Sequence, residues 1–78
     1  MNHKKNLSAD LMRIGEWLYH GEINLASQFL ERDIKLYGNK GLKIGNLPAG
    51  SWLNKIKNLS GEKLKAAEKA WTAAAILV

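Results

Sequence analysis

The chain contains no cysteine. That absence removes disulfide frameworks, thiolate nucleophiles and zinc–thiolate sites together, and it fits a reducing compartment. Proline occurs once, at Pro48, so little in the sequence forbids helix. The two histidines, His3 and His20, stand far apart and form no spaced ligand pair. Long hydrophobic runs are also missing. The longest apolar-leaning stretch, AWTAAAILV at 70–78, is about half of what a membrane span needs. The N-terminal MNHKKNLSADLMRIG carries charge but no apolar run of signal-peptide length. The expectation is a cytoplasmic protein without a membrane span.

The usual marks of catalysis are absent too. No serine sits in a GxSxG context, and there is no HExxH or EF-hand loop. Glu31 and Asp33 stand two apart, and on a helix such residues point in different directions, so they cannot share a substrate. The glycine-rich GNKGLKIG at 38–45 lacks the GK[ST] ending of a phosphate-binding loop. The sequence therefore predicts no enzyme, no cofactor, no metal and no small-molecule substrate.

What is present is lysine, unevenly placed. The net charge is +5. Residues 1–33 carry four basic and five acidic side chains, whereas residues 34–78 carry eight lysines against Glu62 and Glu68. Such asymmetry suggests an acidic partner for the second half. Solubility alone would also produce it.

Hydrophobic periodicity predicts four helices. The first, about 8–20, has Ser8 as N-cap and Asp10 in its first turn. Leu11, Ile14 and Leu18 share a face, flanked by Met12 and Tyr19, while Trp17 falls off the stripe; Gly21 ends it. Residues 1–7 are expected to be mobile. The second helix, about 25–37, runs from Asn24 as N-cap to Gly38 as a left-handed stop, with Leu25, Ala26, Phe29, Leu30, Ile34, Leu36 and Tyr37 on a wide apolar arc. Asp33 projects into that arc. A buried carboxylate is costly, so it must find a cation, an indole N–H or a backbone cap, or else face a partner.

Residues 38–50 hold four of the seven glycines and the proline, and read as a loop. Pro48 then opens a third helix, about 48–58, with Trp52, Ile56 and Leu59 on one face and Leu53 at its edge. Ser60 caps a fourth, about 61–77, in which Leu64, Ala67, Trp71, Ala74 and Val78 form a core stripe. Beyond Ala70 this helix is apolar on every side. In so small a domain that predicts packing into a partner, most simply a second copy.

Two nucleic-acid readings bear on residues 47–71. A helix-turn-helix with its turn at Ser60–Gly61 fits poorly, because Lys57 falls where a small buried residue is needed. The following helix starts GEKLKAAEKAW, without arginine, asparagine or glutamine to read base edges. Separately, GSWLNKIK, LSGEKL and the closing AW resemble the small three-helix helicase-associated domain, with Gly50, Trp52, Leu59, Ser60 and Trp71 in the places of that family's motif. The Trp52–Leu59 spacing and the closing helix are shorter than in that family. The resemblance spans residues 50–71, rests on common residue types and assigns no family. It implies association with nucleic acid.

The reading as a whole is a single all-α domain, 1–78: a small bundle of four short helices, built as two helical hairpins joined by a Gly-rich loop. Its core should include Leu11, Ile14, Leu18, Leu25, Phe29, Leu30, Ile34, Trp52, Ile56, Leu64, Ala67 and Trp71. The expected function is non-catalytic, as a regulatory or adaptor module binding a protein partner or its own second copy through Trp71, Ala74, Ile76, Leu77 and Val78. The alternative is nucleic-acid binding to phosphates through Lys40, Lys43, Lys55, Lys57, Lys63, Lys65 and Lys69.

Overall fold

The computed structural model of the chain describes residues 3–38 and 40–77. It holds four helices and one minimal hairpin: α1 (His3–Tyr19), α2 (Ile23–Tyr37), β1 (Lys43–Ile44), β2 (Leu47–Pro48), α3 (Ala49–Asn58) and α4 (Lys63–Leu77). The all-α bundle expected from periodicity is the architecture observed. Each helix packs against two others, α1 on α2 and α4, α3 on α2 and α4, so the four close into a ring.

The first turn shows how local chemistry fixes the ring. Gly21 adopts φ +82°, its N–H bonds to the Leu18 carbonyl (3.1 Å), and the Glu22 N–H reaches back to Trp17 (2.7 Å). This is a Schellman stop, which caps orphan carbonyls and reverses the chain into α2. Gly38 does not behave as expected. It lies in the right-handed helical region (φ −63°) and simply extends α2. The left-handed glycines beyond it are Gly41 and Gly45.

The expected loop contains a paired element, because the short extended piece around Lys43–Ile44 finds its partner in Leu47–Pro48. Lys43 pairs with Pro48 and Ile44 with Leu47, antiparallel, around a Gly45–Asn46 turn in which Gly45 takes φ +63°. Glycine at the first central position of a two-residue turn is a known hairpin signal. The hairpin puts Ile44 fully into the core, and the Ile44 carbonyl accepts a 2.9 Å hydrogen bond from Trp52 Nε1. Pro48 is thus the last strand residue and the N-cap of α3, rather than its first helical residue.

α1 and α4 share the largest interface of the bundle. They run antiparallel, since Ser8 near the start of α1 meets Ala74 near the end of α4 while Gly15 lies against Trp71. α1 contributes Leu7, Leu11, Ile14 and Leu18, all fully buried, and α4 answers with Ala66, Ala67, Ala70, Ala73 and Ala74. Large side chains on one helix against methyl groups on the other let the backbones approach closely. The helix begins at His3, ahead of the expected start, because Leu7 belongs to this interface. Ser8 is consequently no N-cap. Its Oγ donates to the Ala74 carbonyl at 3.0 Å, in the last turn of α4.

The expected core needs two corrections. Leu25 and Leu64 are 37% and 58% exposed. Leu64 lies on the outer side of α4, where the buried face is made of alanines and Trp71 covers Gly15 of α1. Leu11, Ile14, Leu18, Leu30, Ile56 and Ala67 are fully buried, and Phe29, Ile34, Trp52 and Trp71 pack against them half-buried. Trp17, off the apolar stripe, meets Phe29 edge-on with ring centroids 4.7 Å apart and seals the α1–α2 seam.

Candidate functional site

Three features of the bundle could serve as functional sites: a buried ionic cluster, the lysines, and the apolar end of α4. The cluster lies between α1 and α2. Asp33 is fully buried and Asp10 nearly so. Arg32 Nη2 donates to Asp10 Oδ2 at 2.9 Å, and its Nε lies 3.6 Å from Asp33 Oδ1. Arg13 stands 3.7 Å from the other oxygen of Asp10. The Arg32 guanidinium also lies 4.3 Å from the Phe29 ring centroid, which holds its plane against α2. Asp33 is therefore anchored inside the molecule. Neither of its oxygens accepts a hydrogen bond from a described residue. Burial, and then the neighbouring Asp10 carboxylate, push its carboxyl up from 3.8 to about 7, against the pull of Arg32. Burial and the same two carboxylates also raise Tyr37. Among the described residues no group of three potential ligands gathers to hold a metal ion.

The seven candidate lysines divide among separate surfaces. Lys65 and Lys69 line a groove of about 350 Å³ between α3 and α4, with Trp52, Leu59, Glu68 and Thr72. Lys55, exposed and three residues on from Trp52, occupies the same side of α3. Lys57 instead turns toward α2, where it pairs with Glu31 at 3.1 Å. Lys43 borders a hollow of about 410 Å³ with Lys4, Gly41, Gly45, Ile76 and Leu77. Lys63 flanks an open depression beside Leu64 at the start of α4, and Lys40 is exposed in the turn before β1. Lys65 already has a carboxylate, Glu62 at 3.3 Å.

The apolar residues proposed as a partner surface are also divided. Ala74 is 1% exposed and belongs to the α1 contact. Trp71 is half-buried across Gly15, Leu77 is half-buried, and Ile76 is 46% exposed. Val78 lies outside the described residues. At the end of α4, Ala74 thus belongs to the α1 contact while Ile76 stays exposed beside Lys43 and Gly45, and a second uncovered apolar flank lies elsewhere. There Tyr19 and Trp71 approach with ring centroids 5.9 Å apart. Met12, seven residues before Tyr19, and Leu64, seven before Trp71, extend the same flank in both directions. Met12, Tyr19 and Leu64 are 50%, 49% and 58% exposed. Sequence reasoning missed this flank because it assigned the largest residues of α4 to the core. The run of alanines four and three apart was the signal that pointed elsewhere.

No protein-family model matches the chain, and no curated protein or solved structure is significantly similar to it.

Proposed function

We propose that this protein is a non-catalytic binding module that associates with a protein partner, in the simplest case a second copy of itself, through the flank shared by α1 and α4. The observation that carries this reading is the half-exposure of three large apolar side chains, Met12, Tyr19 and Leu64, in line with Trp71. A chain of 78 residues buries only about 60% of the surface of its unfolded form. In this one the fully buried side chains of α4 are alanines, which contribute little apolar area each. A two-fold axis over the flank would bury the same stripe twice, the economy of isologous dimers.

The test is light scattering coupled to size exclusion across a concentration series. A dimer is expected, little changed by salt, and converted to monomer by Leu64→Asp. A monomer at every concentration rules out self-association through this flank.

Nucleic-acid binding through the lysines is the second reading, and the pairing of Lys65 and Lys69 around Trp52 favours it. It draws less from the geometry, because Lys57 and Lys65 are matched by Glu31 and Glu62 and the remaining lysines face several directions. Phosphate binding would fall steeply between about 50 and 200 mM salt, which a titration with labelled oligonucleotide reads directly.

A further inference from the structure

The groove between α3 and α4 is built differently from the α1–α4 flank and stands or falls independently of it. Its floor is Trp52 and Leu59, both half-buried. The indole is fixed in place, because Nε1 donates to the Ile44 carbonyl at 2.9 Å and so ties the ring to the hairpin. A rigid aromatic surface can be covered without the entropic cost of ordering it. Above the floor stands positive charge. Lys69 Nζ lies 5.4 Å from the centroid of the Trp52 ring, Lys65 stands one turn before it on α4, and the exposed Lys55 follows Trp52 by three residues on the same side of α3. Among the described residues neither Lys55 nor Lys69 forms an ion pair. Glu68 is the one carboxylate in the lining, and the Thr72 hydroxyl beside it donates to the Glu68 carbonyl at 2.8 Å.

We propose that this groove docks an acidic segment of another protein, which seats one apolar side chain on Trp52 and Leu59 and sets carboxylates against Lys55 and Lys69. The dimensions suit that occupant. A hollow of about 350 Å³ accepts a single large side chain, and the lysine charge complements flanking acids. An incoming carboxylate offers Lys69 a charge-assisted hydrogen bond in place of its contact with the ring, which frees the indole face for the apolar anchor. A nucleic-acid strand fits less well. Stacking along a strand needs successive aromatic faces, and a phosphate run needs a continuous basic track. Here Trp52 is the one aromatic side chain in the lining, Glu68 interrupts the wall, and Lys57 and Lys43 open onto other hollows.

The experiment is a titration of the ¹⁵N-labelled full chain with a short synthetic peptide carrying one leucine flanked by glutamates. The same titration uses a lysine-flanked counterpart, a glutamate-flanked peptide with alanine for leucine, and oligothymidylate. Resonances of Trp52, including its indole N–H, and of Leu59, Lys69 and Thr72 should shift with the acidic leucine peptide. The two control peptides should bind about tenfold or more weakly. Lys69→Glu and Lys55→Glu should each weaken binding by a similar factor, while Lys57→Glu, on the other side of α3, should leave it unchanged. Amide spectra of each variant establish that the fold is kept. The proposal is overturned if the acidic peptide shifts no groove resonance, if the lysine substitutions do not matter, or if oligothymidylate binds the groove more tightly than the peptide.

Discussion

Replacing Asp33 with Asn should stabilise this protein at pH 8 while leaving it nearly unchanged at pH 4. The reasoning starts from burial. Asp33 is fully buried, receives no hydrogen bond from a described residue, and faces the Asp10 carboxylate. Its nearest cation, Arg32, is already bonded to Asp10 at 2.9 Å and stands 3.6 Å from Asp33. Burial first, then Asp10, raise its carboxyl from 3.8 to about 7. A raised value means that the folded state holds the proton more tightly than the unfolded state does. The contribution to stability is therefore complete below the unfolded value of 3.8 and is lost as pH rises through about 7. About three pH units at 1.36 kcal/mol each gives a loss of roughly 4 kcal/mol by pH 8.

Such a loss is a large fraction of the roughly 5–15 kcal/mol by which small domains are stable. An asparagine keeps the shape and can donate a hydrogen bond to Asp10 without ever ionising. Urea unfolding followed by circular dichroism, at intervals from pH 4 to pH 8, measures the effect. The wild type should weaken steadily across that range, and Asp33→Asn should flatten most of the slope. Its gain at pH 8 should be about 2–4 kcal/mol. Subtracting the two curves cancels the contribution of every group that both proteins carry. A wild-type curve that is flat from pH 5 to pH 8, or a variant less stable than wild type at pH 8, would refute the reasoning. Either result would mean that Asp33 is ionised and that its pairing with Arg32 outweighs its burial.

Other substitutions test the packing. A Cβ at Gly15 would overlap the Trp71 indole. Gly15→Ala should therefore destabilise by about 1–2 kcal/mol, the overpacking cost less the helix-propensity gain, and Gly15→Ala should couple with Trp71→Leu in a double-mutant cycle. Gly50→Ala in α3 brings its Cβ no closer than 3.5 Å to Gly38 and should instead stabilise by about 0.5–1 kcal/mol, read in the same urea assay. Ser8→Ala removes the donor to Ala74 and should cost about 1 kcal/mol, with faster amide exchange in the last turn of α4.

What the sequence made legible, and what it did not, follows from the range of each force. The four helices could be read because hydrophobic periodicity is a local signal, and Gly21 could be read because a left-handed stop needs only its own residue. The burial of Asp33 was legible for the same reason: its place on the apolar arc is fixed by the turn of one helix. The side of α4 that faces inward was not legible from α4 alone. Size ranking chooses Leu64 and Trp71; the structure fully buries five alanines, keeps Trp71 half-buried against Gly15 and leaves Leu64 outside, because α1 already brings Leu7, Leu11, Ile14 and Leu18 to the core. Two rows of large side chains would hold the helices apart, whereas large against small fills the space at native density. Complementarity between distant segments, here residues 7–18 and 66–74, thus decided which apolar residues were spent on folding. The same choice left Leu64, Tyr19 and Met12 outside. A helix whose core-facing stripe is made of alanine keeps its larger apolar residues for other contacts, and that ties the proposed binding flank to the packing of the monomer.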